Sequence, residues 1–111
     1  MFLHDWNDVE DVKESFEISD VDLLGVRILL ASYESDGCDG YAFVLFVCDG
    51  KLFEVNGSVC SIYDLEEQWL PEETSVEELR HRLKEGLLGS PREGCGGFAQ
   101  ELSKVLDECK S

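Results

Sequence analysis

Tyr41-Ala42-Phe43-Val44-Leu45-Phe46-Val47-Cys48, then Asp49-Gly50, then Lys51-Leu52-Phe53-Glu54-Val55-Asn56, is the stretch that decides the fold. The first eight residues form a nearly continuous apolar run, as in a central strand buried on both faces. Asp-Gly is a strong signal for a two-residue hairpin turn. Such a turn sets the register, placing Phe46 opposite Phe53 and Val44 opposite Val55. Those pairs make one apolar face, the expected core. The other face pairs Leu45 with Glu54 and Phe43 with Asn56, and is only half apolar. It therefore needs a cover, either helices of the chain or a partner.

Upstream, residues 22–33 are rich in aliphatic and β-branched types and read as a strand. Ser35 to Gly40 reads as a turn-forming loop. Residues 7–18 read as an amphipathic helix with Asn7 as N-cap and Glu10 three residues on. At 100° per residue, Trp6, Val9, Val12 and Phe16 share one arc. Asp8, Glu10, Asp11, Glu14 and Glu17 lie on the opposite arc, with Lys13 beside them.

Downstream, Asn56-Gly57 reads as a second tight turn, with Ser58 to Tyr63 as a short fourth strand. Two overlapping capping boxes, Thr74 with Glu77 and Ser75 with Glu78, open a helix. Its apolar stripe is Val76, Leu79, Leu83 and Leu87, and Glu78 and Arg82 form an i,i+4 pair on its outer side. Gly86, Gly89 and Pro91 close it. Phe98, Leu102, Val105, Leu106 and Cys109 stripe a last helix. The expected class is α+β: an antiparallel three- to four-stranded sheet with an N-terminal helix and two C-terminal helices, in one acidic domain over residues 1–111.

Charge restricts the partners. The chain carries 25 acids and nine bases, a net of −16. Residues 1–40 hold eleven acids and two bases, whereas residues 74–111 are nearly balanced. Such a field repels nucleic acid and anionic membrane, and attracts basic protein surfaces. No apolar run reaches the length of a membrane span. Met1 to Trp6 has neither a basic start nor an apolar core, so a cytoplasmic protein without a signal peptide is expected.

No chemical motif survives inspection. The five cysteines are scattered without a C-x-x-C pair, so free thiols and no metal or cofactor are expected. Cys60 and His81 lack an elbow motif, an oxyanion loop and a third orienting group, so no enzyme is expected. Gly89 to Gly97 lacks the G-K-[ST] ending of a nucleotide loop. The acidic face of the first helix remains, together with Glu66, Glu67 and Trp69. For Trp69, two readings stay open: an interface anchor or a core plug under the following helix.

Asn56-Gly57-Ser58-x-Cys60-Ser61-x-Tyr63-x-Leu65-Glu66-x-Gln68-Trp69-x-Pro71-Glu72-Glu73-Thr74, with Glu78-Leu79-x-His81-Arg82-Leu83 and Gly86-x-Leu88-Gly89, resembles a set of small uncharacterised phage and prophage proteins. The resemblance covers roughly residues 40–90 and implies a mobile-element origin, but no activity. Val59 stands where that family has histidine, which counts against a His-Cys site in this chain. Origin and charge together predict an acidic inhibitor of a host defence complex, of anti-CRISPR or anti-restriction type. It would occupy a basic nucleic-acid-binding surface of a host protein by charge mimicry, binding no nucleic acid and no membrane itself. The expected contact residues are Asp8, Asp11, Glu14, Glu17, Glu66, Glu67 and Trp69. The alternative is a non-enzymatic phage accessory protein, a homodimer joined through the half-apolar sheet face.

Overall fold

The computed structural model describes residues 2–4, 6–36, 39–59, 65, 68–86 and 98–109. The elements, in chain order, are β1 (Phe2–His4), α1 (Val9–Phe16), a 3-10 turn (Asp20–Leu23), β2 (Val26–Asp36), β3 (Asp39–Cys48), β4 (Lys51–Val59), β5 (Glu72–Thr74), α2 (Val76–Lys84) and α3 (Ala99–Cys109). The class is α+β. The five strands lie in one sheet in the order β1-β2-β3-β4-β5.

The central hairpin has the expected register: Phe46 pairs with Phe53, Val44 with Val55, Leu45 with Glu54 and Phe43 with Asn56. Asp49 and Gly50 both take positive φ, 54° and 76°, as a tight hairpin turn with the right twist requires.

Four expectations about the sheet and its connections are corrected. The sheet has five strands, not three or four, and is mixed rather than antiparallel, because β1 runs parallel to β2, with Phe2 opposite Ala31. Asn56-Gly57 is no turn, since β4 continues straight through it to Val59. The space there explains the glycine: a Cβ on Gly57 would meet Leu65 Cδ2 at 2.8 Å. The strand beside β4 is therefore β5, where Glu72 pairs with Glu54, and Thr74 belongs to it rather than to a helix cap. The proposed strand at Ser58 to Tyr63 lies largely outside the described residues. Finally, Leu23 and Leu24 precede β2, because Gly25, at φ 73°, breaks the extended run before Val26.

Helix ends follow local chemistry. Asp8, not Asn7, caps α1: its side chain accepts the Asp11 N–H, and Asp11 in turn accepts the Asn7 N–H at 2.7 Å. Of the two boxes before α2, the structure uses Ser75, whose hydroxyl accepts the Glu78 N–H at 3.1 Å. Gly86 closes α2 with φ 74°, and its N–H donates to Leu83. Gly89, Pro91 and Leu87 lie outside the described residues.

Both sheet faces are covered by the chain itself. On one, α1 lays Val12 and Phe16 over Ala31, Ala42, Val44, Phe46 and Val55, with Trp6 and Leu65 completing the cluster. On the other, Leu79 of α2 and Leu102, Val105 and Leu106 of α3 bury Leu30, Phe43 and Leu45. The half-apolar face is thus roofed by α2 and α3, and pairing of two chains through it would first displace them. No helix among the described residues is long and apolar enough to cross a membrane.

Candidate functional site

The outer surface of α1 and its two ends carry four of the expected contact residues, Asp8, Asp11, Glu14 and Glu17. Their structural duties differ. Asp8 and Asp11 cap the helix. Lys13 is enclosed by two carboxylates: it donates to Glu10 at 3.2 Å and to Asp20. The Asp20 hydrogen bond, then that of Glu10, raises the Lys13 pKa and keeps it charged. Asp22 accepts the Ser19 N–H at 3.0 Å and so shapes the 3-10 turn. Glu14 and Glu17 have no such duty. Both are exposed, and neither makes an ion pair among the described residues. Glu17 also holds a left-handed conformation at the helix end, φ 55° and ψ 45°, where glycine is the usual residue.

Beside these acids stand two exposed apolar side chains that the sequence reading missed. Val21 is 73% exposed and Leu24 72%. Leu24 falls within the strand expected over residues 22–33, where an aliphatic run is buried. The signal that could have corrected this was Gly25, which ends the extended pattern one residue later.

Trp69 is a partly buried core plug, but under the preceding helix α1 and not, as expected, under the following helix α2. Its ring meets Phe16 edge-on at 5.2 Å and stacks on Phe46 at 5.7 Å, so it supports α1 from beneath instead of standing out as an anchor. Glu66, Glu67, Cys60 and Tyr63 lie outside the described residues. His81 is exposed on α2. Among the described residues, no group of three or more His, Cys, Asp or Glu side chains is placed to hold a metal ion.

A second group of acids lies on the α2 side. Glu54 is 4% exposed, and Arg82 of α2 reaches across to both its oxygens, through Nη1 at 2.9 Å and through Nη2. Asn56 Nδ2 donates to the same carboxylate at 2.8 Å. Burial alone would raise the Glu54 pKa. The donors around it, led by Arg82, prevail and hold it below the ordinary glutamate value. Arg82 is thus not simply on the outer side of its helix. It faces inward to Glu54, while its Nε lies 3.7 Å from Glu78. Glu72, Glu73 and Glu78 surround this pair in an open cleft of about 420 Å³. The clue was present in the register, since Glu54 falls opposite Leu45 on a face that a helix covers, and such a carboxylate needs an inward-facing cation.

No protein-family model, curated protein or solved structure matches the chain.

Proposed function

We propose that this protein is a non-catalytic acidic inhibitor that docks the α1 surface onto a basic nucleic-acid-binding surface of a bacterial host protein. The observation that carries the reading is Glu17. A glutamate occupies a left-handed helix end that favours glycine, is exposed and makes no ion pair among the described residues. Among the described residues its carboxylate has no partner that the fold uses. Glu14, three residues earlier, shares that condition on the same helix surface. Both are mounted on a short, doubly capped helix whose buried side is fixed by Val12 and Phe16. Fixed carboxylates of this kind can meet the lysines and arginines that a host protein uses on phosphates. Val21 and Leu24 add apolar contact area beside the charges. The resemblance to phage and prophage proteins supplies the setting, a defence nuclease or nucleoprotein as target.

The test is capture from a bacterial host lysate on the immobilised full chain, washed at low and at high salt. A basic nucleic-acid-binding protein that is retained at low salt, released at high salt and lost with Glu14→Lys/Glu17→Lys supports the reading. Full retention of that partner by the double variant overturns it.

A further inference from the structure

Four large apolar side chains stand exposed among the described residues: Val21, Leu24, Tyr41 and Leu70. Of these, only Val21 and Leu24 belong to one turn. The Leu24 N–H donates to the Val21 carbonyl at 3.3 Å across the 3-10 turn. Residues three apart eclipse one another in a 3-10 helix, and Leu24 keeps the helical φ of −61° that sets its Cβ direction. The two side chains therefore form one small apolar prong.

The fold holds this prong in place. Ile18 before it and Val26 after it pack against the aromatic core cluster. Lys13 of α1 donates to Asp20, and Asp22 accepts the Ser19 N–H at 3.0 Å. Gly25, at φ 73°, then turns the chain into β2. A segment ordered in this way loses little freedom when a partner covers it, and the partner removes two aliphatic side chains from water.

The charges around the prong select what covers it. From Val9 to Leu24 the chain has six acids and one base, Lys13, which Glu10 and Asp20 engage. Glu14 and Glu17 make no ion pair among the described residues. A second copy would set these acids against themselves, and an anionic bilayer would meet the same repulsion. An uncharged apolar pocket would desolvate the nearby carboxylates without a counter-charge. An apolar pocket edged by cations satisfies both the side chains and the acids. We propose that the Val21–Leu24 prong enters an apolar socket rimmed by lysine or arginine on the partner protein, next to the basic surface that meets Glu14 and Glu17. This rests on the inhibitor reading and adds to it the chemistry of the partner at one point of contact.

The experiment is a methyl NMR titration of the full chain with two synthetic probes of equal charge. One is a short leucine–lysine amphipathic helix, which presents an apolar stripe between lysine rows, and the other is oligolysine. The amphipathic helix is expected to shift the Val21 and Leu24 methyls to saturation and to bind about tenfold more tightly than oligolysine. Val21→Ser/Leu24→Ser should weaken the amphipathic helix about tenfold and leave oligolysine unchanged. Both residues are exposed, and a dispersed spectrum verifies that the variant folds. Undiminished affinity of this variant for the amphipathic helix, or saturating shifts that spare Val21 and Leu24, would overturn the proposal. So would sedimentation of the native chain as a dimer and of the serine variant as a monomer, which gives the prong to a second copy. Glu14→Lys/Glu17→Lys separates the two readings. If it loses both probes while the serine variant keeps the amphipathic helix, the prong falls and the acids stand. If it keeps both probes, the acids fall and the basic rim falls with them.

Discussion

The two faces of the sheet are roofed differently. Under α1 the packing is aromatic: Trp6, Phe16, Tyr33, Phe46, Phe53 and Trp69 form a chain of ring contacts between 5.2 and 5.9 Å. Under α2 and α3 it is mainly aliphatic, built from leucines and Val105, with one stacked pair, Phe43 and Phe98. The carboxylates divide the same way. Those of α1 point out to water, whereas Glu54 is turned inward and tied to Arg82. Large rings let one short helix of eight residues cover its face, leaving its outer surface unconstrained by packing. The opposite face needs two helices, and it uses an ion pair to fix where one of them lies. Exposed acids thus stand on both sides, and on the α1 side several of them hold helix ends and turns, but the buried, ion-paired carboxylate lies under α2.

The largest effect should come from removing the central ring of the aromatic side. Phe16 is 1% exposed, and Phe16→Ala should cost about 4 kcal/mol in urea unfolding. Phe16 touches both tryptophans of the chain, so the native tryptophan emission should change as well. Leu102→Ala, on the aliphatic side, should cost about 3 kcal/mol and leave that emission unaltered. Equal spectral changes in the two variants would mean that the two clusters are not separate.

Arg82→Met breaks the ion pair from one side, leaves Glu54 buried without its cation, and should cost about 3 kcal/mol. The pH dependence gives a second measure. The folded Glu54 pKa is depressed, so its contribution is present above the ordinary glutamate value and is lost as pH falls through the folded value. Arg82 is shifted upward and stays charged throughout this acid window, so it adds no slope there. Unfolding free energies followed from neutral pH into this window should fall in the native chain. They should fall less in Glu54→Gln/Arg82→Met. An equal fall would place the acid sensitivity elsewhere.

Gly57→Ala tests the seam between β4 and the aromatic side. The new methyl would stand 2.8 Å from Leu65 Cδ2 and about 3.5 Å from the Phe16 ring. A loss of about 2 kcal/mol is expected, because an overfilled core must shift side chains or backbone. Gly57→Ala combined with Leu65→Ala should recover part of the loss, which a double-mutant cycle measures.

The central hairpin was legible to the residue, because a two-residue turn and a period of two leave little freedom. Two of the three helical stripes were legible for the same reason: Val12 and Phe16, like Leu102, Val105 and Leu106, fall at helical spacing and are buried. What escaped depends on contacts distant in sequence. Gly57 looks like a turn residue until Leu65 is packed against it. Three-residue β1 and β5 are too short for a periodic signal, and only their partners, Ala31 and Glu54 among them, reveal them. Arg82 meets Glu54 across 28 positions, which no local pattern encodes. In the candidate site, the acidic arc of α1 was visible as a pattern. Which of its acids the fold itself uses became clear only from the hydrogen bonds of Asp8, Asp11 and Lys13.

That distinction gives the smallest and most discriminating effect. At Glu17 the left-handed backbone costs a non-glycine residue about 1 kcal/mol, so Glu17→Gly should raise stability by about that amount. Glu17→Ala keeps the backbone penalty and removes only the charge, so its stability should match the native chain. If the glutamate is retained for contact with a basic partner, both variants should bind that partner more weakly, with the difference shrinking as salt is raised. Stability and affinity would then move in opposite directions in Glu17→Gly, as happens where a residue is kept for recognition at some cost to the fold. A Glu17→Gly chain that is more stable and binds as tightly as the native one would remove Glu17 from the interface. Glu14, which carries no backbone strain, would then be the α1 carboxylate to examine.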